Sequence, residues 1–241
     1  MRRNRKRLLR RRLLSIALGG LALLALISVL SVLSLRWVPP VTTAFMLSEW
    51  SAAGLEHRPD YHWVRQDQIA PALALAAVAA EDQRFPGHRG FDFAAIKGAA
   101  LANLRGESSR GASTISQQLA KNLFLWRGRS WLRKGLEVWF TAWIELLLPK
   151  QRILELYLNV AQFGRGVYGV EAASNTYFNT TAERLNLPQA ALLMTVLPSP
   201  TRWQLDRPSP YLKIRQCWIL QQMEQLGSAY LVPIGWAFAL T

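Results

Sequence analysis

The chain has 241 residues and a formal net charge of +14, and its single cysteine, Cys217, excludes an internal disulfide. This length suffices for one large domain or two small ones with a real core. The sequence contains neither a phosphate-binding P-loop nor a dinucleotide fingerprint, and its three histidines lack the spacing of a zinc motif. It therefore predicts no metal site.

The N-terminus combines a basic arm with a long uncharged stretch. Residues 1–12 include eight basic side chains and no acidic one, and residues 13–35 carry no charge. A helix of the second length spans about 34 Å, enough to cross a bilayer core. A cleaved signal peptide has a shorter apolar region and a cleavage site, which this segment lacks. The sequence predicts one transmembrane helix at 13–35, with the arm in the cytoplasm and the body outside the plasma (inner) membrane.

A basic arm is also typical of proteins that bind nucleic acids. Here the arm adjoins the predicted membrane span, which explains its charge without a nucleic acid, so we expect no nucleic-acid partner. The rest of the chain is also basic, which suits a domain that works against anionic lipid head groups or phosphates.

The segment after the anchor divides into two parts. Residues 36–60 are predicted to be a connector, because Pro39-Pro40 would break a helix and Pro59-Asp60 is typical of a turn. Residues 61–241 are predicted to form one all-α domain, since alternating strand patterns are rare in them. The expected helices are 71–83, 93–104, 113–125, 130–148, 150–161, 167–177, 181–185, 188–196 and 209–226.

The first candidate site lies at the end of an apolar helix. The segment PALALAAVAA begins with Pro71, which is favourable in a first helical turn, and it ends in Glu81 and Asp82. Desolvation and the negative end of the helix dipole should both raise the pKa of a carboxylate there. Glu81 is therefore a candidate general base or acid. On this segment alone, a solvated polar helix end remains the alternative.

A second polar segment reads GASTISQQLAKNLFL and predicts a helix over 113–125 capped by Ser113. Ser113, Gln117 and Lys121 are spaced by four residues and therefore share one face, while an apolar row lies roughly opposite. This polar face favours binding of a phosphate or a sugar, although an ordinary solvated face remains the alternative.

Four further charged side chains follow: Arg129, Arg133, Lys134 and Glu137. A surface salt bridge is the simple interpretation of the Arg133–Glu137 pair, which is one helical turn apart. With Glu81, however, the chain offers two carboxylates and a set of cations. Carboxylates serve glycosyl chemistry, and cations neutralise a departing pyrophosphate. Together with a membrane anchor, this combination predicts a polyprenyl-linked sugar donor.

These segments match a known family. The chain resembles the peptidoglycan glycosyltransferases of glycosyltransferase family 51 over about residues 60–205, through five ordered motifs. The motifs are EDxxFxxHxGxD at 81–92, GxSTxxQQxxKN at 111–122, RKxxE at 133–137, KxxILExYLN at 150–159 and ALLMTVLPSPTRW at 191–203. The second motif has Ala112 where the family usually has glycine, which is a small departure.

The resemblance implies an all-α, lysozyme-like fold with a head lobe and a jaw lobe that faces the membrane. It implies that Glu81 deprotonates the 4-hydroxyl of an acceptor N-acetylglucosamine. That oxygen would attack the donor N-acetylmuramic acid of lipid II with inversion, form a β-1,4 bond and expel undecaprenyl pyrophosphate. Glu137 would assist this departure or orient the cations. The residues expected to hold pyrophosphate or line the groove are Lys121, Arg129, Arg133, Lys134, Ser113, Gln117 and Gln118.

The same resemblance sets expectations for partners and for further activities. Lipid II, the growing glycan strand and membrane lipid are expected partners, while cell-division or cell-wall synthesis proteins are left open. The sequence requires no cofactor, and stimulation by a divalent cation is left open. Many relatives carry a transpeptidase domain, whose SxxK and KTG signatures this chain lacks, so we expect no transpeptidase activity.

Two other functions remain open. A lytic transglycosylase or lysozyme-type hydrolase would share the fold and one glutamate, but it would not need the cations of RKxxE. A membrane-anchored assembly factor without activity would tolerate the loss of Glu81. Incubation with lipid II, with and without later muramidase digestion, separates all three.

Overall fold

The computed structural model describes residues 2–54, 58–105 and 112–236, so that Gly111 of the second motif and the C-terminal residues 237–241 lie outside the described residues. The helices are α1 (Arg2–Ser34), α2 (Ala44–Ala53), α3 (Pro71–Glu81), α4 (Phe93–Leu104), α5 (Ile115–Phe124), α6 (Trp131–Leu147), α7 (Lys150–Val160), α8 (Gly169–Phe178), α9 (Leu187–Met194) and α10 (Pro210–Leu226). The strands are β1 (Asp60–Tyr61), β2 (Gln162–Gly164) and β3 (Val167–Tyr168). This mostly helical architecture confirms the all-α prediction.

The described part of the basic arm and the predicted span form one continuous helix, α1. Its stretch Arg11–Ser34 is long and apolar enough to cross a membrane by length and composition. Past its middle, α1 contacts the body of the protein: the Trp139 indole donates to Ser28 Oγ over 3.0 Å. Just beyond α1, Arg36 donates to the carbonyl of Leu147 over 3.2 Å. The helix thus fits a single-pass anchor that is docked on α6.

Helix α2 and the strands were not predicted. The helix lies inside the segment 36–60 and begins where Thr43 Oγ1 accepts the amide of Met46 over 3.1 Å. The strands form a small sheet in the order β1-β3-β2, with β1 parallel and β2 antiparallel to β3. Each strand is two or three residues long, too short to show an alternating pattern in the sequence.

The helix predicted at 167–177 begins two residues later than expected, because Val167–Tyr168 pairs as β3. Helix α8 starts at Gly169, whose φ of +81° is a left-handed conformation that favours glycine. A Cβ at this position would also collide with the carbonyl of Asn159. The turn therefore fixes the small sheet against the end of α7.

Helix α3 lies at the centre of the core. It begins with Pro71 in its first turn, and every residue of 72–79 is buried. It packs against α7, α9 and α10, and its alanine side chains let these helices approach closely. Because α3 ends at Glu81, the core carries this carboxylate to the edge of the helix bundle.

Helix α4 is also apolar, but it has no buried residue. Helix α6, which packs against both α5 and α1, carries further exposed apolar side chains. The exposed large apolar side chains of these two helices are Phe93, Ile96, Leu101, Leu104, Trp131, Leu132, Val138, Trp139 and Leu146. Apolar surface of this extent is typical of a site that contacts a membrane or another protein.

Candidate active site

The carboxylate of Glu81 lies at the C-terminal end of α3, beside α5. Gln118 Nε2 donates to Glu81 Oε2 over 2.7 Å, and the Tyr157 hydroxyl donates to Gln118 Oε1 over 3.1 Å. Burial raises the pKa of Glu81 above its ordinary value, while the Gln118 hydrogen bond and the charges of Arg215 and Lys121 oppose that rise. The direction agrees with the sequence analysis. A carboxylate in this state is suited to accept a proton.

Asp82 fixes the position of its neighbour Glu81. His88 Nδ1 accepts the amide of Gly90 over 3.1 Å, so the ring proton is on Nε2 and is donated to Asp82 over 2.8 and 3.0 Å. Asp82 also accepts the amide of Ile115 over 3.0 Å. The end of α3 is therefore tied directly to the start of α5. This explains why the first motif contains an aspartate and a histidine as well as the glutamate.

A largely buried ion pair lies near this junction. The Lys150 ammonium donates to Glu145 over 2.8 Å and lies 4.3 Å from the ring centroid of Phe85. Ser116 Oγ donates a further short hydrogen bond to Glu145. Burial lowers the pKa of Lys150, and the Glu145 carboxylate opposes that change. The pair connects α5, α6 and α7. Sequence analysis found Lys150 in a motif but did not single out Glu145.

The cap predicted at Ser113 was wrong. Thr114 is the N-cap of α5: its Oγ1 accepts the amide of Gln117 over 3.2 Å, and Gln117 Oε1 accepts the amide of Thr114 over 3.0 Å. This reciprocal pair is a capping box. The Gln117 side chain is therefore buried, and its oxygen is already used in the cap. Ser113 is exposed and precedes the N-cap residue by one position. The spacing of four residues does not place Ser113 on the same helical face as Gln117 and Lys121, because the helix begins after Ser113.

A cavity of about 390 Å³ opens beside Gln118, which joins it to the Glu81 carboxylate. The cations that line this cavity are Lys121, Arg127, Arg129 and Arg133. Burial lowers the pKa of Lys121, with Glu137 as the main opposing charge. The structure thus brings together Gln118 and three of the predicted cations. Of the other predicted groove residues, Ser113, Gln117 and Lys134 do not line the cavity.

Glu137 is buried with two cations. Arg133 donates to it over 2.8 Å, and Lys134 forms a short ion pair with its other oxygen. The Glu137 side chain is 5% exposed, which rules out a surface salt bridge. A buried carboxylate that pairs with two cations is suited to orient them, above all Arg133, whose side chain is 11% exposed against 41% for Lys134. The geometry therefore favours the orienting role that sequence analysis left open for Glu137.

Among the cavity residues that were not singled out from the sequence are Phe45 and Arg127. Phe45 lines the cavity from α2, inside the segment that was predicted to be a connector. Arg127 lies in the loop between α5 and α6, two residues before the predicted cation Arg129. The basic run WRGR was a sequence signal for Arg127. No periodic pattern identified α2, so Phe45 had no such signal.

Comparison with known proteins agrees with this geometry. The family model described as Transglycosylase matches residues 49–224. A biosynthetic peptidoglycan transglycosylase of Xylella fastidiosa strain 9a5c is 54% identical over 197 residues, covering 80% of this chain and 81% of the relative. Proteins with the same description from Pseudomonas aeruginosa and Pseudomonas entomophila are 52% identical over 196 residues and 48% identical over 232 residues. They cover 80% and 95% of this chain and 84% and 95% of their own lengths.

The chain belongs to the transglycosylase family. It is an enzyme, a peptidoglycan glycosyltransferase, as the five motifs predicted. The family match begins inside the segment 36–60, so the boundary between connector and domain stays a prediction.

Proposed function

We propose that the protein polymerises lipid II into β-1,4-linked glycan strands and releases undecaprenyl pyrophosphate. The observation that carries this proposal is that one side chain, Gln118, connects the carboxylate of Glu81 to the cavity lined by cations. Gln118 donates to Glu81 and also lines the cavity of cations. A base for a sugar hydroxyl and a cationic cavity for a pyrophosphate are the two requirements of this transfer.

In the proposed reaction, Glu81 accepts the proton of the acceptor 4-hydroxyl as that oxygen attacks the anomeric carbon of the donor. The bond between the anomeric carbon and the pyrophosphate oxygen breaks with inversion, and its electron pair leaves with the pyrophosphate. Lys121, Arg129 and Arg133 neutralise the charge that develops there. Glu137 holds Arg133 in place and thereby acts through it.

The exposed apolar faces of α4 and α6 support a position at the bilayer surface. Helix α6 packs against α1, so its exposed apolar side chains belong to an element that is docked on the anchor. We propose that residues 1–12 lie in the cytoplasm and that the enzyme works on the outer side of the inner membrane. A periplasm-active reporter fused after Thr241 should be active, and one that is active only in the cytoplasm would contradict this orientation.

The proposal includes no transpeptidase activity and no required cofactor. The Pseudomonas entomophila relative is matched over 95% of its length by a chain without SxxK or KTG. Labelled penicillin should therefore leave the protein unmarked. Polymerisation should continue at a basal rate after chelation with EDTA. Stimulation of this rate by an added divalent cation would be compatible with the proposal.

The experiment that tests the proposed function is incubation of the purified full-length protein with lipid II. We expect a polymer that muramidase degrades to disaccharide units. A hydrolase would instead degrade preformed glycan and leave lipid II unpolymerised, and an assembly factor would change neither. Either of these outcomes would overturn the proposal.

A further inference from the structure

Helix α2 forms one wall of the cation cavity. The Phe45 ring centroid lies 5.7 Å from Lys121 Nζ and 5.2 Å from Arg127 Cζ. At these distances a cation is attracted to the negative face of an aromatic ring. Phe45 therefore contacts a cation that the proposed reaction uses, although it lies far from the family motifs in sequence.

Glu49 fixes the position of Phe45. It follows Phe45 by four residues on the same helix, so the two side chains lie on one face of α2. The Glu49 carboxylate accepts four hydrogen bonds from the β2–β3 region and from the loop after α5. The donors are Gly166 N at 2.7 Å, Gln162 Nε2 at 2.7 Å, Tyr168 Oη at 2.5 Å and Arg127 Nη2 at 3.0 Å. We call Glu49 and Arg127 the clamp.

Arg127 differs from the neighbouring cation Arg129. Its Nη2 also donates to Gln162 Oε1 and to the Tyr168 hydroxyl, both over 2.9 Å. Burial and the Glu49 carboxylate raise the pKa of Tyr168, so its hydroxyl keeps the proton that it donates to Glu49. The charge of Arg127 is thus already paired, whereas Arg129 has no ion-pair partner in the described part of the chain. We therefore expect Arg127 to hold helix α2 in place and not to bind the pyrophosphate.

The surroundings of Lys121 explain why a wall of this kind is useful. Burial disfavours the charged ammonium, the nearby carboxylates of Glu137 and Glu81 favour it, and Arg133 and Lys134 disfavour it. In the described part of the chain, no hydrogen bond or ion pair fixes the direction of the Lys121 ammonium, and the Phe45 ring is the aromatic group beside it. The face of the Phe45 ring restricts the Lys121 ammonium from one side and leaves the N–H donors of the ammonium available for the substrate.

We propose that Phe45 is a positioning residue of the transferase reaction, because its ring, held by the Glu49–Arg127 clamp, orients the Lys121 ammonium toward the donor pyrophosphate. This inference rests on the proposed function. It assigns to the segment between the anchor and the core a part in donor binding.

The test uses the full-length protein and lipid II, with KM and kcat measured separately. Phe45→Leu keeps an apolar side chain but removes the ring, and we expect KM to rise about 3- to 10-fold with kcat changed less than about twofold. Phe45→Tyr keeps an aromatic ring and should therefore keep the wild-type KM. The inhibition constant of inorganic pyrophosphate should rise in Phe45→Leu by a factor similar to that of KM. Leu47→Ala, an exposed site on the same helix, is the matched control.

Glu49→Gln tests the clamp with Phe45 and all four cavity cations intact, and it should raise KM in the same direction. It carries the test if Phe45→Leu fails to fold by circular dichroism. If the wild type polymerises lipid II while Phe45→Leu and Glu49→Gln keep the wild-type KM, the positioning role is overturned and the proposed function stands. If the wild type does not polymerise lipid II, the proposed function fails, and the role of Phe45 in it fails as well.

Discussion

Helices α3 and α4 are both short, apolar and rich in alanine and leucine, but they have opposite surroundings. In α3 every residue of 72–79 is buried, whereas α4 has no buried residue. The two helices are joined by the first motif, in which Asp82 ties the end of α3 to α5 and Asp92 caps the start of α4.

The difference shows that hydropathy alone does not identify a core helix. The apolar surface of α3 is covered by α7, α9 and α10, and this packing holds Glu81 in a partly desolvated position. The apolar surface of α4 remains uncovered, which suits a helix that contacts lipid. We therefore expect α3 to support the chemistry and α4 to contact the membrane.

Replacing the carboxylate at the end of α3 should have the largest effect. Glu81→Gln removes the proposed base and should lower the polymerisation rate about 10²- to 10⁴-fold. Burial raises the folded-state pKa of Glu81, so its ionised form costs stability as the pH rises through the folded-state pKa. The variant should therefore have a higher thermal midpoint at pH 7.5, with a smaller difference at low pH. Near-normal lipid II turnover would contradict the role, and Glu224→Gln, exposed on α10, is the control.

One substitution made in both helices should separate them by stability. Ala76→Leu adds volume to the fully buried face of α3 and should destabilise the protein by about 1–3 kcal/mol through overpacking. The same change in α4, Ala100→Leu, lies on an exposed face and should change the free energy of unfolding by less than about 0.5 kcal/mol. Chemical denaturation of both variants measures this contrast. Equal losses of stability would mean that α4 is covered.

The lipid role of α4 predicts a loss of activity without a loss of stability. The double variant Phe93→Ser, Leu104→Ser removes two highly exposed apolar side chains and should raise KM for lipid II in vesicles about 10-fold. Its thermal midpoint should stay at the wild-type value. Ile214→Ser, which is 70% exposed on α10, should leave KM unchanged. An unchanged KM in the double variant would contradict the expected contact of α4 with the membrane surface.

The corrected cap of α5 gives a contrast between two neighbouring side chains. Thr114→Ala removes the cap and also the hydrogen bond from Thr114 Oγ1 to the Gly90 carbonyl, and it should cost about 1–2 kcal/mol. Ser113→Ala should be nearly neutral, because Ser113 is exposed outside the helix. The two midpoints of denaturation give the answer. A larger loss for Ser113→Ala would restore the cap that the sequence pattern first indicated.

The sequence was most informative where a local pattern decides the structure. The apolar run of α3 placed Glu81 at a helix end, and its raised pKa follows from that position. Lys121 of α5 and Arg133 of α6 could be grouped from their motifs, and the structure places both around one cavity with Arg129 of the intervening loop.

Other features depend on contacts that are distant in the sequence. Helix α2 has no amphipathic pattern, and its position is set by Glu49, whose partners lie more than a hundred residues away or in the loop after α5. Ser113 and Thr114 are both good capping residues, so only the start of the helix decides between them. Likewise, the burial of α3 and the exposure of α4 follow from the packing of other helices and not from their own residues.

The pH dependence of kcat/KM tests most directly whether the Glu81 base and its surroundings drive the reaction. Burial raises the pKa of Glu81 above the ordinary 4.5, and the Gln118 hydrogen bond holds it down. We predict an acid limb with a midpoint above 4.5 in the wild type, and a further shift to higher pH in Gln118→Leu. An acid limb at or below 4.5, or one that Gln118→Leu leaves in place, would contradict the assignment of Glu81 as the base.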